Sequence, residues 1–128
     1  MRRIIKFRGK SLKDGVWLIG SHFTDGAEEY IIPQTLLDIH DYEDYQVDPD
    51  TVGQYTGLKD RNGQEIYEGD VVERGRTYTI EWWESNSTFF AVCLSGSAHL
   101  CLGYWSRCMT VIGNIHDNPE LVRKEEEI

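Results

Sequence analysis

The chain has 128 residues, a formal net charge of −9 at pH 7 and a high aromatic content, with four Trp and seven Tyr. That length makes one compact domain, or two small subdomains sharing a core, and the aromatic content argues against disorder over most of it. No run approaches the ~18 apolar residues of a membrane span, and the acidic balance argues against a general nucleic-acid binder, whose affinity rests largely on phosphate contacts.

The charge is unevenly spread. Residues 1–10 carry five basic groups and no acid, whereas residues 25–50 carry nine acids and no Lys or Arg. The start has the charged opening of a signal peptide without an apolar stretch behind it. A soluble, cytoplasmic protein is therefore expected. Residues 2–8 predict a first strand, with Arg3, Ile5 and Phe7 on one face and Arg2, Ile4, Lys6 and Arg8 on the other. Lys13-Asp14-Gly15 predicts a hairpin turn into a returning strand, Val16 to Gly20. A third strand is expected at Glu29 to Ile32, stopped by Pro33. Leu36, Leu37 and Ile39 suit a short helix, and Asp41 to Val47 a loop or an edge strand.

From residue 51 the pattern is strongly β. Asp60-Arg61-Asn62-Gly63 fits a type I turn followed by a glycine in the left-handed region, and Gly57 marks a further break in the chain. Gly69-Asp70 is a second turn, in which Asp70 is placed to accept from nearby backbone amides. Strands are expected over Val71–Glu73, Tyr78–Trp83, Thr88–Leu94, His99–Tyr104 and Met109–Ile112, a spacing that indicates a small barrel or sandwich. Their core is expected to draw on Leu58, Ile66, Val71, Ile80, Val92 and Ile112. Gly113 lies in the closing turn. Asn118-Pro119-Glu120 reads as a helix start, with Asn as cap and Pro at the first position.

Two blocks carry a family resemblance. One runs Gln54-Tyr55-Thr56-Gly57-Leu58-Lys59-Asp60, then Asn62-Gly63, then Ile66-Tyr67-Glu68-Gly69-Asp70-Val71-Val72. The other is Ile112-Gly113-Asn114-Ile115-His116-Asp117-Asn118-Pro119-Glu120-Leu121. With the opening Ile5-Lys6-Phe7-Arg8-Gly9-Lys10, and with Gly15-Val16-Trp17 followed by Gly20, the chain resembles the YopX family, small proteins encoded largely by bacteriophages and prophages. The resemblance implies a mostly β protein with an SH3-like barrel in the C-terminal part and an additional N-terminal subdomain. The expected organisation is a β-rich subdomain over 1–50, the barrel over 51–116 and a short helix or tail over 117–128. It implies no activity, because the shared residues are glycines, turn formers and core apolars.

The residues themselves offer little chemistry. Cys93, Cys101 and Cys108 are odd in number and lack framework spacing, as suits a reducing compartment. With His99 they imitate four zinc ligands, but no tight Cys-x2–4-Cys knuckle is present, so they read as buried small hydrophobes. Glu68 and Asp70 could hold a hard cation or simply stabilise their turn. His116 reads as a surface residue near the final turn. No catalytic residue, metal or cofactor is expected. The acidic stretch could act as a decoy for a host DNA-binding protein, and an unrecognised enzyme is the other alternative. The leading reading is a binding or assembly module, either a homo-oligomer or a partner of a host or phage protein, with no direct nucleic-acid contact. Lys6, Arg8 and Lys10 share one strand face, and residues 25–50 supply the opposite charge with Tyr42 and Tyr45. Trp82 and Trp83 face opposite sides of one strand, so one is expected in the core and Trp83 at a surface.

Overall fold

The computed structural model describes residues 3–33, 42–96 and 98–126. The fold is mostly β, with two antiparallel sheets and few helices. Contacts divide it into two compact units, residues 1–55 and 56–128.

In the first unit the strands are β1 (Phe7–Lys10), β2 (Trp17–Asp25), β3 (Glu28–Pro33), β4 (Gln46–Val47) and the start of β5 (Gly53–Lys59), in the order β4-β3-β2-β1-β5. The first strand begins later than its alternation suggests. Residues 3–6 lie outside the regular ladder, with Ile4 and Ile5 exposed. The Lys13–Gly15 turn forms as expected, and Gly15 donates its N–H to Ser11 O. β2 and β3 are longer than predicted because their pairing continues to Asp25↔Glu28. Gly20 is required where it stands, since a Cβ there would collide with the Ile32 carbonyl. The expected helix through Leu36, Leu37 and Ile39 lies outside the described residues. Tyr42–Tyr45 is a 3-10 turn leading into β4. Ser11 makes an isolated bridge to Val47, so β4 touches both β3 and the end of β1. Ile31 and Val47 are fully buried there.

The second unit continues β5 into β6 (Glu65–Tyr67), followed by β7 (Asp70–Arg74), β8 (Arg76–Trp83), β9 (Thr88–Cys93) and β10 (His99–Cys101). Helix α1 (Leu102–Trp105), β11 (Thr110–Asn114) and α2 (Pro119–Glu126) complete it. The second sheet has the open order β10-β9-β8-β7-β11. Its core holds Ile66, Val72, Tyr78, Ile80, Ala91, Cys93, Leu102 and Met109, with Leu58 and Val111 packed against it.

Three expectations need correction here. Ile112 is 38% exposed, because the register shifts between Val111 and Gly113. Ile112 is the extra residue left unpaired at this bulge, whereas Val111, opposite Val72, packs on the core. Val92 is only half-buried; Ala91 and Cys93 take the core face, with Ala91 directly opposite Ile80. The strand expected over His99–Tyr104 ends at Cys101 and becomes helical. A strand would send Leu102 and Trp105 to opposite faces, whereas helical i,i+3 spacing puts both toward the core. Leu102 is fully buried and Trp105 packs beside it.

The turn glycines adopt positive φ: Gly63 at 82° closes the Asp60 turn, Gly69 lies at 90°, and Gly57 at 83° lies within β5 rather than in a loop. Replacing Gly63 by Val should destabilise the protein by about 1–2 kcal/mol from left-handed strain. Ile80 is 1% exposed, and Ile80→Ala should cost roughly 2–5 kcal/mol. Urea unfolding of both variants checks this; an unshifted midpoint for Ile80→Ala would contradict its place in the core.

Candidate functional site

The first unit presents a cationic strip stacked on aromatic rings. Lys10 lies opposite Trp17 and Arg8 opposite Ile19 in the β1–β2 register, so their side chains share a face. Trp17 is flanked by two cations, with Arg8 Cζ 4.6 Å and Lys10 Nζ 5.6 Å from its ring centroid. Lys6 Nζ lies 5.0 Å from the Tyr55 ring. Each such contact is worth about 0.5–1 kcal/mol when exposed. The three predicted residues therefore do come together, but Trp17 and Tyr55, which organise them, were not singled out by sequence. The alternation of Arg8 and Lys10, with Trp17 returning after the Ser11–Val16 connection, was the available signal.

Near the tip of the β2–β3 hairpin lies an acidic, aromatic face. Tyr42 donates its hydroxyl proton to Asp25 Oδ2 at 2.6 Å, and the rings of Phe23, Tyr30 and Tyr42 pack with centroids 5.0–5.3 Å apart. The bond to Asp25 holds the Tyr42 hydroxyl in its neutral form and raises its pKa. Tyr30 is raised first by burial and then by Glu28, Asp25 and Glu43. Glu43 and Asp44 are exposed in the adjoining 3-10 turn, where Lys13 Nζ reaches Asp44 at 3.5 Å. Tyr45 is half-buried. On the opposite sheet face Glu29 accepts from Thr24 at 2.6 Å and lies 2.9 Å from His22 Nε2. Those two bonds, Thr24 first, hold its pKa below the ordinary value.

In the second unit the predicted turn residues converge on one carboxylate. Asp60 Oδ1 accepts from the amides of Asn62 at 2.8 Å and Gln64 at 2.9 Å, while Oδ2 accepts from Val111 N at 2.9 Å. Arg61 N donates to Met109 O beside it. Burial pushes the Asp60 carboxyl up, but the amides of Val111, Gln64 and Asn62 bind its charged form and hold its pKa below the usual carboxylate value. Asp70 accepts from Tyr67 N at 2.7 Å and is buried, which makes its role that of the turn. Asn118 does not cap α2 in the expected way: its Oδ1 accepts from Asn114 N, while Asn114 Oδ1 accepts from His116 N and Asp117 N. Gly113 leaves room for this, since a Cβ there would strike Asn118. Pro119 begins α2 as predicted.

Trp82 and Trp83 are distributed differently from expectation. Trp82 is 40% exposed and stacks edge-on to Phe89, while Trp83 is half-buried between Phe90 and His99 at 4.5 and 4.7 Å. Neither is a core residue, because both sit at the end of β8 where the sheet runs out. Gly69, Ile80, Ile115, Pro119 and Val122 line an apolar groove of about 460 Å³, with Thr79 and Glu81 as its polar members.

Chemistry in the usual sense is sparse. Cys101 and Cys108 are exposed rather than buried, and Cys93 is buried with its Sγ 3.2 Å from Ser95 Oγ. The Ser95 hydroxyl lowers the Cys93 pKa against the effect of burial, with Arg76 adding to it. Among the described residues no group of three or more His, Cys, Asp or Glu side chains is placed to hold a metal ion. No described helix is long and apolar enough to cross a membrane.

Comparisons with known proteins agree with the fold. Residues 6–123 match the family described as "YopX protein". A crystal structure of protein EF1440 from Enterococcus faecalis is similar over 94% of this chain and 99% of that one, with a TM-score of 0.54 and 24% identity. No curated protein matches the sequence.

The Asp60 geometry has a measurable consequence. A carboxylate whose pKa is lowered by folding stabilises the protein above its unfolded value of about 3.9. That contribution is lost as pH falls through the lower folded value. Asp60→Ala should cost roughly 1–3 kcal/mol at neutral pH by leaving donors unsatisfied. Asp60→Asn should flatten the fall in stability below about pH 4. Urea titrations across that range test both; an Asn variant with the wild-type acid slope would remove Asp60 from this role.

Proposed function

We propose that this protein, which belongs to the YopX family, is a non-catalytic protein-binding and self-assembly module of phage or prophage origin, acting in the bacterial cytoplasm. The observation that carries this reading is the sorting of charge and aromatic area into separate surfaces. Lys6, Arg8 and Lys10 form a basic strip on Tyr55 and Trp17, and Asp25, Glu28 and Glu43 surround Tyr30 and Tyr42. Surfaces that pair rigid aromatics with one sign of charge suit recognition, because the rings supply contact area and the charges select the partner. Trp83, held by Phe90 and His99, adds aromatic area on the second unit. Tyr45 flanks the acidic face in the 3-10 turn.

We read the second unit as an SH3-like arrangement. The Asp60 turn lies against β11, an edge strand of its sheet, which supports that reading. The first partner we expect is a second copy of the chain, and a host or phage protein is the other class.

Light scattering at micromolar concentration should give a mass above that of one 14.8 kDa chain. Raising the salt from 50 to about 500 mM should lower it, since exposed charges are screened within a few ångströms there. A salt-independent single-chain mass would count against self-assembly and leave the acidic face for a different partner.

A further inference from the structure

The Arg74-Gly75-Arg76 turn is a second basic surface, which the charge distribution along the chain does not announce. Arg74 and Arg76 are cross-strand neighbours at the end of the β7–β8 hairpin, and both are exposed. Arg74 Cζ stands 4.2 Å from the Trp105 ring. Trp105 is in turn packed against the core, which gives the guanidinium a rigid base. Tyr104 meets Trp105 edge-on at 5.2 Å and is 79% exposed. Arg107 is also exposed in the following turn. Arg, Trp and Tyr held in one stack have the composition of an interface hot spot, and ordering Arg74 in advance lowers the entropy lost on binding.

A complementary acidic surface lies on the first unit. Asp25 and Glu28 are exposed at the β2–β3 tip, Glu43 is exposed beside them, and the Tyr42–Asp25 bond ties the two segments together.

We infer that the Arg74–Arg76 turn, with Trp105 and Tyr104, receives the acidic face formed by Asp25, Glu28 and Glu43 of a second copy. This rests on the self-assembly reading and names the surface that carries it. Because the two patches differ, the contact is heterologous and propagates into a ring or an open chain. Arg guanidinium groups pair with carboxylates while Tyr104 covers the contact from water, which strengthens the pairing.

Charge reversal in matched pairs tests this. Arg74→Glu/Arg76→Glu and Asp25→Lys/Glu28→Lys should each lower the mass in light scattering toward a single chain, raising the dissociation constant at least about tenfold. Thermal melts should show both variants folded, since all four side chains are exposed. An equimolar mixture should regain the higher mass, because each variant then meets the opposite charge on the other. Wild-type-like assembly by both variants would overturn the assigned surface while leaving self-assembly standing. A wild-type protein that stays a single chain at every concentration and salt would remove self-assembly, and the assigned surface with it. A fluorescent single-stranded 20-mer oligonucleotide supplies the remaining arm. If it binds wild type and loses affinity with Arg74→Glu/Arg76→Glu while assembly is unchanged, the patch serves nucleic acid and the inference fails.

Discussion

The carboxylate of Asp60, together with the neighbouring bond from Arg61 N to Met109 O, joins its own hairpin to a strand far along the chain. It accepts from Asn62 and Gln64 inside its own hairpin and from Val111, 51 residues further on. The first two bonds shape the β5–β6 turn. The third places that turn on an edge of the second sheet, where unpaired N–H groups would otherwise face outward. A neutral side chain of the same size would supply the acceptors less strongly, because a charged acceptor makes the better hydrogen bond. The low exposure of Asp60, 4%, makes its partners obligatory rather than optional. The β5–β6 turn and its attachment to β11 both depend on it.

A parallel economy of design closes the C-terminal turn. Asn114 and Asn118 exchange roles, each side chain satisfying backbone amides of the segment between β11 and α2. Such Asx geometry substitutes for a longer connection, and it is compact enough that only a glycine fits at position 113. Gly113, Asn114 and Asn118 are therefore turn builders.

The aromatic residues have two distinct duties. Tyr78 belongs to the core, where its ring is buried. Trp17, Tyr55, Tyr42 and Trp105 lie under or beside charged groups and fix where those charges point. Long cationic side chains lose much rotamer freedom on binding a partner. Stacking on a ring takes part of that loss in advance. Charge on this protein is consequently not a diffuse property of an acidic chain but a set of oriented groups.

Turns and strand existence were determined by the sequence itself. Gly63 and Gly69 need positive φ, Asp60 and Asp70 are local acceptors, and Pro119 can only begin a helix, so each of these is a statement about one residue and its neighbours. The tertiary structure decided everything that depends on a partner distant in sequence. Ile112 left the core because a bulge shifted its register, and Leu102 entered a helical turn because the core needed both it and Trp105. The candidate surfaces divide in the same way. The bias of residues 1–10 and 25–50 can be counted along the chain, but the stack of Arg74 on Trp105 brings together residues 31 positions apart. Local chemistry specifies φ, caps and alternation. Register, burial and stacking between distant residues follow from competition for the interior of each unit, which no stretch of sequence records by itself.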